Sequence, residues 1–184
     1  MPDKQRESSL TDSARRGDKN AFGDLYERYL DQIYRYIYYR VNNLHDAEDL
    51  TEQVFLKAWE KLPQYRGEVP FRAWIYRIAH NAVIDHYRTR KELAELPDEL
   101  PLTDETSNVE SHLLSQERAA SLAAIIARLS PLHQHVLTLR FINGLSMKET
   151  AQVLGRNVGA IRVLQHRALK AAQTLLTAEE ITHV

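Results

Sequence analysis

The chain of 184 residues contains no cysteine. That excludes disulfides, zinc–thiolate sites and thiol catalysis, and it fits a cytoplasmic address. Long apolar runs are missing too. No stretch approaches the ~20 apolar residues that a membrane-spanning helix needs, and the opening MPDKQRESSL is too polar for a signal peptide. Glycine and proline are sparse, at six each, and no segment reads as a strand. What is present is 43% apolar and 27% charged residues, the make-up of a globular protein with room for one domain or two small ones.

An overall excess of one charge is also missing, since the formal net charge is −1. Along the chain, however, charge is segregated. Lys61–Lys91 holds seven Lys/Arg against two Asp/Glu, Glu92–Glu117 holds eight acids and no Lys/Arg, and Arg140–Lys170 holds six Lys/Arg against one acid. Two basic blocks flank an acidic one, and a polyanion would meet the blocks rather than the average.

The apolar pattern is helical throughout. Residues 1–9 read as a mobile polar arm, followed by a short helical turn from Leu10 to Arg16. Phe22, Tyr26, Tyr29, Ile33, Ile37 and Val41 recur at steps of three and four and predict a long helix whose tyrosines belong to the core or its rim. Asp46, Glu48 and Asp49 place negative charge in the first turn of the next helix, where the macrodipole favours it, and Pro63 ends that helix. The loop QYRGEVP (Gln64–Pro70) leads into FRAWIYRIAHNAVIDHYRTRK (Phe71–Lys91). There Phe71, Ile75, Ile78 and Ala82 form a core-facing stripe, and Trp74, Arg77, Asn81, Asp85 and Arg88 form a second stripe that helix stability does not require. Those residues alone leave the second stripe open between a solvated surface and a face for stacking and hydrogen-bonding bases.

Glu92–Ser111, with two prolines and many acids, cannot repay its ordering entropy by burial and reads as a linker. Beyond it, Leu122–Leu129 and Leu132–Ile142 predict two helices. Ser146-Met147-Lys148-Glu149 has capping-box form and opens a short helix. Gly155-Arg156-Asn157 turns, and a last helix runs from about Val158 to Leu176. This is a helix-turn-helix pattern. On the last helix Ile161, Leu164, Ala168, Ala172 and Leu175 share one sector, with Arg162, Val163, His166, Arg167 and Lys170 opposite. A valine among bases suits a major groove, where an apolar group can meet a thymine methyl.

Taken together, DAEDLTEQVFLKAW (Asp46–Trp59), YRGEVPFRAWIYRIAHNAVIDHYR (Tyr65–Arg88) and LTLRFINGLSMKETAQVLGRNVGAIRVLQHRALKA (Leu137–Ala171) resemble a bacterial RNA polymerase sigma factor of the extracytoplasmic-function (ECF) group. The resemblance implies an all-α fold of two small helical domains, 10–91 and 113–184, joined by a flexible acidic linker at 92–112. It implies a promoter-specificity subunit that is not an enzyme, with no cofactor and no metal. Asp46, Glu48, Asp49 and Gln53 would dock on the clamp coiled coil of the polymerase largest subunit, with the flap region as a second polymerase contact. Lys57, Tyr65, Arg66, Phe71, Arg72, Trp74, Arg77, Asn81, Asp85 and Arg88 would bind the melted −10 element. Arg140, Arg156, Asn157, Arg162, Val163, His166, Arg167 and Lys170 would read the duplex −35 element. An anti-sigma protein is a further implied partner, and a membrane is not one. Ala160–Leu164 departs from the hydroxyl-bearing pattern of many members, which implies a different −35 preference. A stand-alone helix-turn-helix regulator would leave Asp46–Trp59 and the aromatic loop without a task. A metal hydrolase built on His80, Asp85, His86, His133 and His135 has poor ligand spacing, and those histidines are expected at a rim or on the DNA face.

Overall fold

The computed structural model describes residues 2–94 and 122–182. All secondary structure among them is helical: α1 (Pro2–Arg15), α2 (Lys19–Val41), α3 (Leu44–Lys61), a 3-10 turn (Leu62–Gln64), α4 (Phe71–Ala94), α5 (122–127), α6 (Pro131–Leu137), a π turn (Thr138–Ile142), α7 (Met147–Leu154) and α8 (Val158–Thr182). The linker expected at 92–112 lies outside the described residues, apart from its first three positions, which continue α4.

The helix ends follow local chemistry. Asp18 caps α2 by accepting from the Asn20 and Ala21 amides, and Asn42 closes it in the left-handed region at φ 51°. Asn43 caps α3 through the Asp46 amide at 2.9 Å. Ser146 and Glu149 form the reciprocal capping box expected from sequence, at 3.1 and 2.8 Å. Gly155, at φ 61°, ends α7 in the left-handed region, and Asn157 then caps α8 through the Ala160 amide at 2.7 Å.

The expected mobile arm at 1–9 is corrected: α1 begins at Pro2. Its polar surface hides a specific anchor. The buried Tyr29 hydroxyl donates to Glu7 Oε2 at 2.6 Å, with Arg28 3.7 Å from the same oxygen. Leu10 and Ala14 add apolar contact to the core farther along, but periodicity could not reveal the Glu7 anchor.

α1–α4 form a bundle centred on Leu25, Ile33, Ile37, Val54, Ala58, Leu62 and Ile75. A fully buried aliphatic side chain of this size contributes about 1.5–3 kcal/mol. Three of the α2 tyrosines, Tyr29, Tyr36 and Tyr39, are buried, as the pattern predicted, while Tyr26 is exposed. In the second unit α6 packs on α8 through Leu129, Leu137 and Ala168.

The sequence left the relative placement of the two units open. In the structure they pack together, α7 against α4 and the π turn against α2, so that Leu139, Leu145 and Val153 join the core of the first unit.

Candidate nucleic-acid interface

α4 distributes its side chains over three sectors. Phe71, Ile75 and Ala82 face the bundle, and Tyr76, Ala79 and Val83 are buried beside them. The third sector carries Arg77, Asn81, Asp85 and Arg88, all exposed, with Trp74 half-buried at its head. Arg88 lies 3.3 Å from Asp85, a solvated pair that holds charge on this face without rigidity.

The preceding loop is shaped by aromatic packing. The Tyr65 ring lies 5.0 Å from Trp74 and 6.2 Å from Phe71, and Phe71 and Trp74 are 5.5 Å apart. The Tyr65 hydroxyl donates to the Val69 carbonyl at 2.5 Å, closing the loop over Gly67, whose φ of 74° a side chain would oppose. Burial first, then Glu7 and Asp12, raises the Tyr65 pKa, so the hydroxyl stays a donor at neutral pH. The outcome is a ledge of partly exposed ring, Tyr65 and Trp74, beside cations and an amide: groups able to stack on and hydrogen-bond unpaired bases.

On α8, Ile161 and Ala168 are buried, whereas Arg162, Val163, His166, Arg167 and Lys170 are exposed on the opposite side, Val163 by 50%. Arg140, on the π turn, reaches across to Gln165 Oε1 at 3.0 Å and also donates to the Leu145 carbonyl. It braces α8. A widened turn is a common way to aim one side chain at a functional site. Gln165 was not singled out in the sequence. The only available signal was its place beside His166, at the edge of the outward face.

On α3, Glu48, Asp49 and Gln53 are exposed. Asp46 pairs with Arg90 at 3.0 Å, fastening α3 to α4, and lies 3.5 Å from His86 Nε2. Burial lowers the His86 pKa against the attraction of Asp46. Next to the acids, Lys19, Phe22, Tyr26, Phe55, Leu56 and Trp59 line a largely apolar groove of about 390 Å³. Among the described residues, no group of three or more His, Asp or Glu is arranged to hold a metal ion.

Residues 25–92 match sigma-70 region 2, and residues 119–171 match sigma-70 region 4. The chain is 40% identical to the ECF RNA polymerase sigma factor BldN of Streptomyces coelicolor over 178 residues, covering 95% of this chain and 67% of BldN. This chain belongs to the ECF sigma factor family. A second relative, the ECF RNA polymerase sigma factor SigW of Bacillus subtilis, is 28% identical over 172 residues, covering 88% of this chain and 92% of SigW. The solved structure of CnrH in complex with the cytosolic domain of CnrY superposes with a TM-score of 0.76 at 26% identity, covering 94% of this chain and 98% of CnrH. As an alternative sigma factor the protein is a regulatory DNA-binding subunit. It binds core RNA polymerase and initiates transcription at promoters.

The residues singled out for this sigma factor divide by exposure. Arg66, Arg77, Asn81, Asp85 and Arg88 are exposed around α4, with Lys57, Tyr65, Arg72 and Trp74 half-buried. Phe71 is corrected: at 3% exposure, against Tyr29, Tyr65 and Trp74, it supports the loop from below and cannot touch a strand. Arg72 is turned away from the ledge, donating to the Asn143 carbonyl at 2.6 Å and lying 3.9 Å from Glu149. Arg156 is exposed, and Asn157 uses its side-chain oxygen on the α8 cap. Of the histidines expected at a rim or on the DNA face, His135 is corrected, being buried, while His80, His86 and His133 are half-buried and His166 is exposed.

Proposed function

We propose that this sigma factor divides promoter recognition between its two basic faces. The α4 ledge (Tyr65, Trp74, Arg77, Asn81, Asp85 and Arg88, with Lys57 and Arg66 alongside) captures the melted −10 strand. The outward face of α8 (Arg162, Val163, His166, Arg167 and Lys170, with Arg156 and Arg140 at its margins) reads the duplex −35 element. The observation that carries this reading is the exposed α4 sector, because stability of the helix gives no reason to place an indole, an amide and two guanidinium groups along one solvent-facing line. Unstacking costs a few kcal/mol per base, and stacking on aromatic rings returns about 1–3 kcal/mol per base.

The exposed acids Glu48 and Asp49, with Gln53 and Asp46, dock on a basic surface of the core polymerase. The protein works in the cytoplasm and catalyses nothing itself. The complexes of CnrH with CnrY, and of the sigma factor RpoE with the anti-sigma factor NepR in Bartonella quintana, support an anti-sigma protein as a further partner. Run-off transcription with core polymerase on a randomised promoter pool tests the reading. Promoter-dependent transcripts are expected, with Asn81→Ala reducing strand opening and Arg162→Ala reducing duplex binding. Absence of promoter-dependent transcripts would refute it.

A further inference from the structure

The contact between the two units is apolar where Leu139, Leu145 and Val153 enter the first core, and it also holds a polar node. Arg40 from α2, His80 from α4 and His135 from α6 meet there, three groups able to carry positive charge. Arg40 Nε lies 3.1 Å from His135 Nδ1, the Tyr36 hydroxyl lies 2.9 Å from the same nitrogen, and His80 Nδ1 lies 3.3 Å from it. An imidazole nitrogen accepts only while unprotonated, so Arg40 assigns His135 Nδ1 its lone pair. Arg40 is 2% exposed, with one terminal nitrogen buried and unpartnered. The Tyr87 hydroxyl holds the Arg40 carbonyl, and the Tyr87 ring lies 5.9 Å from the guanidinium.

The other groups facing this node are Tyr36 from α2 and Tyr76, Arg77 and Tyr87 from α4. Among the described residues no carboxylate acts on either imidazole. A proton on His80 or His135 would therefore set a second cation beside a buried guanidinium with nothing to neutralise it. Burial first, then Arg40, holds His80 down at about 4 and His135 lower still. Since both values fall below the usual 6.5, the contribution to closure is fully present above about pH 6.5. It is lost as the pH falls through 6.5 toward 4.

Beside this node the interface also ties up Arg72, which the motif resemblance set among the −10 residues. Arg72 donates to the Asn143 carbonyl and pairs with Glu149, and the Asn143 side chain donates to the Gln32 carbonyl at 2.8 Å. Packed helices lie about 8–10 Å apart, whereas elements named for −10 and −35 are more than one helical turn apart, each turn being about 34–36 Å. With α7 seated on α4, the α8 face is fixed relative to the α4 ledge rather than free to adjust to that separation.

We propose that the Arg40–His80–His135 node is a latch that holds the free sigma factor closed, with Arg72 withheld and the two readers fixed relative to each other, and that protonation of the imidazoles opens it. What the latch withholds rests on the promoter reading above; the latch itself does not.

Because the chain has no cysteine, Asp24→Cys and Gln173→Cys, both at exposed sites, accept a dye pair cleanly. Energy transfer in the full chain without polymerase should be high at pH 8 and fall toward pH 5. The two histidines together raise the open-to-closed ratio by up to about a thousandfold at pH 5. Circular dichroism at each pH separates opening from unfolding, because opening leaves helicity intact. H80N/H135Q, which keeps neutral acceptors, should stay closed at pH 5, and Arg40→Gln should open less at that pH than the parent. Low transfer at pH 8 would overturn the closed resting state. Constant transfer in the parent, acid opening in H80N/H135Q, or unchanged opening in Arg40→Gln would overturn the histidine trigger. Closure without promoter-dependent transcription would count against the promoter reading instead.

Discussion

Phe71 and Trp74 are one helical turn apart and 5.5 Å ring to ring, yet the structure gives them different tasks, and paired substitutions separate these. Phe71 is enclosed by Tyr29, Tyr65 and Trp74. Phe71→Ala should cost about 3–5 kcal/mol of stability in urea unfolding, from lost transfer energy and the cavity left behind. Phe71→Leu retains most of the volume and should cost less than about 1.5 kcal/mol. Since Phe71 lies beneath the ledge, Phe71→Leu should leave promoter opening near the parent level. Trp74→Leu removes a half-exposed stacking surface. Loss of about 1–3 kcal/mol of stacking corresponds to roughly 5- to 150-fold less open complex at about 1.4 kcal/mol per decade. Permanganate reactivity of unpaired thymines, measured in the holoenzyme, reads opening directly, and binding to an unmelted −35 duplex serves as the control. Opening lost equally in Phe71→Leu, with its stability preserved, would refute the division of labour along α4.

Three further outcomes follow from named contacts. Tyr29→Phe should destabilise the fold by about 1.5–3 kcal/mol in urea unfolding, the range for a hydrogen bond to a charged partner, because Glu7 then loses its donor. Ser146→Ala should lower stability by about 1 kcal/mol through loss of the α7 cap; its thermal melt is the check. At a −35 thymine facing Val163, replacement by deoxyuridine removes one methyl, worth about 0.8 kcal/mol. Competition binding by the holoenzyme should weaken about fourfold for the parent and hardly at all for Val163→Ala.

The helix pattern of α2, α3, α4, α7 and α8 was legible because each buries one apolar stripe, and Ser146 and Glu149 announced their cap by type and spacing. The outward residues of α8 were legible for the same reason, as the complement of Ile161 and Ala168. α1 was legible only in its second half, read as a turn over Leu10–Arg16, where Leu10 and Ala14 reach the core; its first half is anchored by the Glu7–Tyr29 bond, which has no periodicity. The π turn was hidden because Thr138–Ile142 reads as ordinary helix, so the bracing of Gln165 by Arg140 was missed. The union of the two units was hidden most thoroughly. It includes Arg40, His80 and His135, residue types that a pattern assigns to the surface, and only contacts between residues 44 to 99 positions apart show Arg40 and His135 buried and His80 half-buried. Phe71 shows two signals at odds: its periodicity placed it in the core-facing stripe, where it lies, and only the motif resemblance set it beside the −10 residues.

The three-sector layout of α4 has an evolutionary consequence. Bundle packing, domain contact and, in the promoter reading proposed above, strand capture occupy different angles of one cylinder, so Asn81, Asp85 and Arg88 can be exchanged with no change in what Ile75 or Tyr76 must satisfy. Drift in −10 preference is thus cheap in folding terms, and duplicated copies of such a gene could part company in the promoters they serve while keeping one scaffold. Arg72 is the exception. It begins the sector that holds the second unit, with its guanidinium on the Asn143 carbonyl and Glu149, so its replacement would alter the contact between the units even where the exposed sector is unchanged.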